Sequence, residues 1–232
     1  MTGSAVALGI VVPALNAAAG IADTLAALRP GIAGLTADTV VVDGGSTDAT
    51  VVLAQLAGVR VVSAPRGRGS QLAAGAAAVA GDWLLFVHAD TVPGAGWDRA
   101  VAAFAADPAN AGRAGYFRFA LDDAAPQARR LERCVAWRCR TLGLPYGDQG
   151  LLVSRARYDA VGGYRPLPLM EDVDLVRRLG RRSLAGLPVP AVTAADRFRR
   201  AGYRRRSLRN LACLALYFAG VPPRAIARLY GR

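Results

Sequence analysis

The 232-residue chain is 53% hydrophobic, enough to bury a substantial core within one domain, and its 29 basic against 17 acidic residues give a formal charge of +12. No lysine occurs, so every basic side chain is arginine, which reflects either coding bias or guanidinium groups that fork onto phosphates or an anionic membrane surface. Three irregularly spaced cysteines exclude a disulfide framework, and the single histidine excludes any site needing two histidines from one chain.

The first half alternates short apolar runs with alanine-rich stretches. Met1 to Ala5 lack the basic start of a secretory leader, and Val6 to Val12 reads as a strand. A helix follows over roughly Ala17 to Leu28. Thr39 to Val42 is a second strand ending at Asp43-Gly44-Gly45, with Ser46 placed to cap the next helix. Val59 to Val62 is a third strand, leading through a glycine-rich turn to a helix near Gln71 to Ala80. Trp83 to Val87 is a fourth, ending at His88-Ala89-Asp90. Continuous apolar strands separated by helices predict a mostly parallel sheet covered on both faces, with ligands beyond the strands' carboxyl ends. The second half predicts a strand over Arg113 to Leu121 and a helix over Arg129 to Arg140. A short strand over Gly150 to Val153 and a helix over Leu169 to Leu179 follow. An arginine cluster, Arg197 to Arg209, precedes an apolar stretch, Leu211 to Val221, and a last short helix. That stretch is about half the length a bilayer requires. It is read as a core or dimer helix, the alternative being a segment lying on an anionic membrane. No linker divides the chain, so residues 1–232 are expected to form a single domain. Its donor half would run to about residue 110, with an acceptor half and helical tail beyond.

Polar groups gather at the predicted strand ends. Asp43 can accept hydrogen bonds from a base or ribose, and the glycines after it admit a ligand to the backbone. An ordinary capped junction would look the same. Arg66 and Arg68 sit on a flexible turn suited to a diphosphate, or are merely solvated. No P-loop ending and no dinucleotide glycine fingerprint is present. His88 and Asp90, two apart, project to one side of extended backbone and can share a divalent ion with diphosphate oxygens. Glu171 and Asp172 complement the dipole of their helix, and one of them can also serve as general base toward an acceptor hydroxyl. Asp148 and Gln149, on a glycine-flanked turn, either line the acceptor side or simply form a turn.

In order and spacing, these pieces resemble the family 2 glycosyltransferases of the GT-A fold. The resemblance runs from Ile10-Val11-Val12-Pro13-Ala14-Leu15-Asn16 through Val41-Val42-Asp43-Gly44-Gly45-Ser46-Thr47-Asp48 and Arg66-Gly67-Arg68-Gly69. It continues over the turn after Phe86, Gly147-Asp148-Gln149-Gly150, Gly162-Gly163-Tyr164 and Met170-Glu171-Asp172-Val173-Asp174-Leu175. It implies a Rossmann-like sheet flanked by helices, a nucleotide-sugar donor, a divalent metal (Mg or Mn) and inversion at the anomeric carbon. Pro13, Asn16 and Asp43 would shape the nucleoside pocket. Asp90 would stand at the last position of the family's DxD metal motif and His88 at the first. Asp172 would be the base, with Glu171 beside it. Three departures stand out: His88 in place of an aspartate, Ala17 where many members carry an acid, and Arg197-Phe198 in place of Arg-Trp, with Arg197 the expected diphosphate contact. The motifs also resemble a compact bacterial subgroup that includes arsenosugar-biosynthesis enzymes. The chain reads as cytoplasmic, with contact of the basic tail at the inner membrane face as the alternative to a core or dimer helix; no nucleic-acid partner is expected, and the acceptor is small or lipid-linked. Nucleotidyl transfer on a related fold and simple binding of polyanions or membranes are the competing readings.

Overall fold

A computed structural model describes residues 6–29 and 35–230; Met1 to Ala5, read above as lacking the basic start of a secretory leader, lie outside them. One eight-stranded sheet organises the chain, in the order β3-β2-β1-β4-β7-β6-β8-β5. Its amino-terminal part is parallel: β1 (Val6–Ala14), β2 (Leu35–Asp43), β3 (Arg60–Ser63) and β4 (Trp83–Phe86). Val and Ile dominate these strands, and alternate residues face opposite layers. Leu8, Ile10 and Val12 pack into one core with Ile21, Leu25 and Phe104, while Val11, Val40 and Val42 pack into the other with Leu72, Leu84 and Val176. Burial on both faces is why alternation of polar residues is missing from the sequence.

The chain leaves β1 toward β2 and β3 on one side, then returns to add β4 on the other. This places a topological switch point between the carboxyl ends of β1 and β4, where a crevice must open. Helices α1 (Ile21–Ala27), α2 (Thr50–Leu56) and α3 (Arg68–Ala78) make the crossovers. Ser46 does not cap α2, whose N-cap position is Ala49; Asp48, one residue earlier, accepts from Thr50 N at 3.0 Å through its Oδ1. Ser46 instead accepts from Asn16 N, tying the two strand-end loops together at 2.9 Å.

The remainder of the sheet is mixed. After β5 (Thr91–Pro93) and α4 (Trp97–Ala106), β6 (Ala114–Leu121) pairs antiparallel with β7 (Leu151–Ser154), which pairs antiparallel with β4. A strand absent from the sequence reading, β8 (Leu184–Thr193), runs parallel to β6 and antiparallel to β5. Pro188 and Pro190 disguise it. The register breaks between the Tyr116 and Arg118 pairings, and this irregularity accommodates a proline that cannot donate to the ladder. Helices α5 (Pro126–Leu142), α6 (Arg155–Ala160) and α7 (Glu171–Leu179) cover this part, followed by α8 (Asp196–Ala201), α9 (Tyr203–Phe218) and α10 (Pro223–Tyr230).

The arginine cluster is divided between α8 and α9, and its second part, Arg204 to Arg209, shares α9 with most of the apolar stretch. On α9, Cys213 and Leu214 are buried while Leu208, Leu211 and Phe218 are exposed. No helix among the described residues is long and apolar enough to cross a membrane. Cys134, Cys139 and Cys213 are free thiols.

Candidate functional site

A cleft of about 750 Å³ opens at the switch point, bounded by Pro13 and Asn16 around the end of β1, Arg66 and Arg68 at the start of α3, the turn after β4, and Arg197. The turn His88-Ala89-Asp90 is held on three sides. Thr24 Oγ1 donates to Ala89 O at 3.1 Å, Thr91 N to His88 O at 3.1 Å, and Ala194 N to Asp90 O at 3.3 Å. Gly20 packs so closely that a Cβ there would lie 3.3 Å from Ala89 O. The turn is therefore fixed before any ligand arrives.

Asn16 adopts φ 49°, and its Oδ1 accepts from Thr47 N at 2.9 Å. Met170, just before α7, has φ 64°. These are the two non-glycine residues with positive φ among the described residues, and both line the cleft system. Backbone strain of this kind concentrates at functional sites.

Asp43 is buried beside the cleft and folds onto its own turn, accepting from Gly45 N at 2.9 Å and Ser46 N at 3.0 Å. The expected nucleoside contact is thus not offered by an uncommitted carboxylate. A base or ribose would have to share an oxygen already hydrogen-bonded. Gln71, invisible as a site residue in the sequence, braces the same floor by donating to Ala14 O at 2.7 Å and Val42 O at 2.9 Å.

The cleft continues inward to a smaller cavity of about 130 Å³ that shares Arg68, His88, Asp90 and Arg197 with it and adds Asp148, Asp172 and Arg206. The two acidic residues of Glu171-Asp172 separate here. Consecutive helical residues point about 100° apart, so only one can face the cavity. Asp172 does, its Oδ2 accepting from Gly147 N at 2.8 Å and its Oδ1 from Val173 N at 2.7 Å. Glu171 is fully buried and pairs with Arg68 Nη1 at 3.1 Å, so it positions Arg68 and does not reach a substrate. This corrects its expected catalytic place. Burial alone would weaken the Arg68 charge, but Glu171, Asp172 and Asp90 more than offset it and hold the guanidinium protonated.

Gln149 is corrected in the same way. It is 1% exposed, with Nε2 donating to Phe117 O at 3.1 Å and Oε1 accepting from Tyr146 N at 3.3 Å. It builds the turn from inside. Its neighbour Asp148 lines the cavity, and Asp148 Oδ1 is buried with no hydrogen-bond partner. Burial pushes the Asp148 carboxyl up to about 6; the charges of Asp172 and Asp90 act in the same direction, against the pull of Arg138. Gly147 lies against the imidazole of His88, where a Cβ would stand 2.4 Å from Nε2. The glycine in Gly147-Asp148-Gln149 is thus a steric requirement of the histidine.

Asp90 is about one-third exposed and stands 3.7 Å from Arg197 Nη2, itself 60% exposed. Among the described residues, no group of three or more His, Cys, Asp or Glu side chains is arranged to hold a metal. His88 and Asp90 do not form a cage. Asp90 offers a single carboxylate to the cleft, and one or two carboxylates with substrate phosphates and water are the usual setting of a magnesium ion. Arg206, Asn210, Tyr146 and Tyr230 also line the inner cavity. The sequence held no signal for them beyond the arginine cluster.

Comparison with known proteins agrees with this geometry. The model of the family described as Glycosyl transferase family 2 matches residues 9–153. Glucosyl-3-phosphoglycerate synthase of Mycobacterium tuberculosis is 34% identical over 94 residues, covering 37% of this chain and 29% of that protein. The Mycolicibacterium smegmatis protein of the same name is 33% identical over 94 residues, covering 37% and 31%. The match therefore spans less than a third of the length of these curated relatives. A crystal structure of the M. tuberculosis synthase with Mn2+, UDP-glucose and phosphoglyceric acid superposes with a TM-score of 0.62 at 21% identity, over 94% of this chain and 81% of that one. The same enzyme with Mg2+ and UDP gives 0.62 at 21% identity, over 94% and 80%. The GT-A fold is shared along nearly the whole chain.

Proposed function

The chain belongs to glycosyl transferase family 2, and on that premise we propose that it moves a sugar from a nucleotide-sugar donor to an acceptor hydroxyl, with inversion. One observation carries the reading: the cleft at the switch point brings the β1 and β4 loops, Arg66, Arg68, Arg197 and Asp172 around one continuous space. UDP-glucose, bound by the structurally similar synthase, is the first donor to test.

In this reading residues 1–232 act as a single domain, the first 110 residues or so holding the donor. The nucleoside lies against Pro13 and Asn16, sharing an Asp43 oxygen, and the diphosphate lies between Arg66, Arg68 and Arg197. Asp90, with His88 beside it, would hold a magnesium or manganese ion against the diphosphate. When bound, that ion supplies positive charge to the departing group. Asp172 is fixed by two main-chain N–H groups, and a carboxylate has lone pairs beyond those two. It takes the proton as the acceptor oxygen attacks the anomeric carbon from the face opposite the diphosphate. One C–O bond forms, the bond to the diphosphate breaks, and the nucleoside diphosphate leaves with that electron pair. Arg68 and Arg197 meet the charge as it develops.

Product analysis tests the reading. Free nucleoside diphosphate supports glycosyl transfer, whereas pyrophosphate would mean nucleotidyl transfer. Asp90→Ala should lose the thermal stabilisation that UDP gives with Mn2+. Polyanion binding that persists without Asp90 and Asp172, and falls steeply with salt, would instead make the chain a basic binding protein.

A further inference from the structure

Beyond the inner cavity lies a third hollow that the transfer chemistry does not use. It is a groove of about 680 Å³ between α5 and α9, lined by apolar side chains that include Phe119, Leu131, Val135, Trp137, Leu211 and Leu214. It is not a separate feature. Tyr146, Asp148, Phe198 and Asn210 line both the groove and the cavity that holds Asp172, so the two meet end to end. The outer end is unusually apolar for a surface, with Trp137 56% and Leu211 61% exposed. Exposed Arg130 and Arg133 flank it, and Asp148, at the inner end, is the one acidic residue among its lining.

The junction of groove and cavity is chemically incomplete. Arg206 Nε and Asn210 Oδ1, one turn apart on α9, are buried without hydrogen-bond partners. Buried polar atoms in this state cost free energy unless a ligand satisfies them. The Arg206 guanidinium is already placed, with its carbon 5.0 Å from the Phe198 ring centroid and Nη2 3.4 Å from Tyr230 Oη. A fixed cation and an unmet acceptor suit a head group that carries both an anionic oxygen and a hydroxyl.

We propose that the acceptor is an amphiphile whose anionic head is held by Arg206 and Asn210 and whose hydrocarbon chain lies in the groove between α5 and α9. The proposal rests on the transferase reading and names the acceptor class for that site. Position and apolar lining agree, and Arg206 supplies the charge that holds an anionic head beside Asp172 and Asp148, while the tail leaves toward the surface.

The test is a titration of the full chain with butyl, octyl and dodecyl phosphate below their micelle concentrations. Tryptophan fluorescence is the readout, since Trp137 is the exposed tryptophan and Trp83 and Trp97 are buried. Octanol and 3-phosphoglycerate are parallel arms. Affinity should climb with chain length, by up to about fourfold per added methylene that the groove buries. Leu211→Asp, at an exposed position where a charge does not disturb the core, should flatten that dependence. Arg206→Gln should weaken octyl phosphate about tenfold and leave octanol unchanged. Affinity independent of chain length, or indifferent to Leu211→Asp, overturns the proposal. So does 3-phosphoglycerate binding as tightly as octyl phosphate. Thermal stabilisation by UDP with Mn2+, measured on the same samples, separates the two readings. If it is present while the alkyl series is flat, only the amphiphile fails; if it is absent, the transferase reading fails.

Discussion

The two walls of the cleft are built on opposite principles. At the ends of β1 and β2 the polar side chains are spent on the protein itself: Asp43 on its own turn, Asn16 on Thr47, Gln71 on two strand-end carbonyls. On the side formed by the Gly147 turn and α9, buried polar atoms are left unmet at Asp148, Arg206 and Asn210. The first wall is a finished backbone shape that can accept a ligand common to many proteins of this fold. The second stores unsatisfied groups, and the ligand that completes them is the one this chain selects. Generality therefore lies in main-chain geometry, and specificity in a few side chains.

The largest expected effect comes from Asp172, which lies where the walls meet. Asp172→Asn should lower transfer by about 10²- to 10⁴-fold, the usual contribution of a general base, while leaving stabilisation by UDP with Mn2+ intact. Turnover at the parent rate would remove Asp172 from the chemistry. Gly147→Ala tests whether the second wall constrains the first. The added methyl must displace His88, at a cost of about 1–3 kcal/mol, and the UDP-dependent thermal shift should fall with it. A variant with parent melting temperature and parent UDP response would uncouple the two walls.

Asp148 should impose a pH dependence on stability. Its carboxyl titrates near 6 in the fold, above an ordinary aspartate, so the native state binds its proton more tightly than the unfolded chain does. That contribution is fully present below about pH 4, declines as pH rises toward 6, and is absent above it. Asp148→Asn should flatten this part of the denaturation profile and raise stability at pH 7 by up to about 3 kcal/mol. An identical profile in the variant would mean the carboxylate is solvated. The smallest effect on stability belongs to Arg197→Ala, because its pair with Asp90 is long and exposed and contributes below about 1 kcal/mol. Its donor affinity should nevertheless fall severalfold by titration with UDP; unchanged affinity would place the diphosphate elsewhere.

By itself the sequence determined the parallel strands, the positions of their carboxyl ends and the turn after Phe86. These follow from short-range patterns: apolar runs of strand length, glycines where the chain turns, polar residues where a run stops. Tertiary structure alone decided which side chains face the cleft. Glu171 and Asp172 are adjacent in sequence and equally acidic, yet the rotation of one helical residue buries the first against Arg68 and turns the second to the cavity. Gln149 and Asp148 divide in the same manner, one filling the core and the other lining the site. Strand β8, with its two prolines, forms only because β6 and β5 supply partners on both sides. Arg206 and Asn210 carry no local signature, since an unmet hydrogen-bonding atom exists only after the chain has closed around it. Patterns along the chain specify elements because their causes lie within a few residues; the orientation of a side chain toward a site depends on groups far apart in the chain, such as Arg68 and Glu171, 103 residues apart.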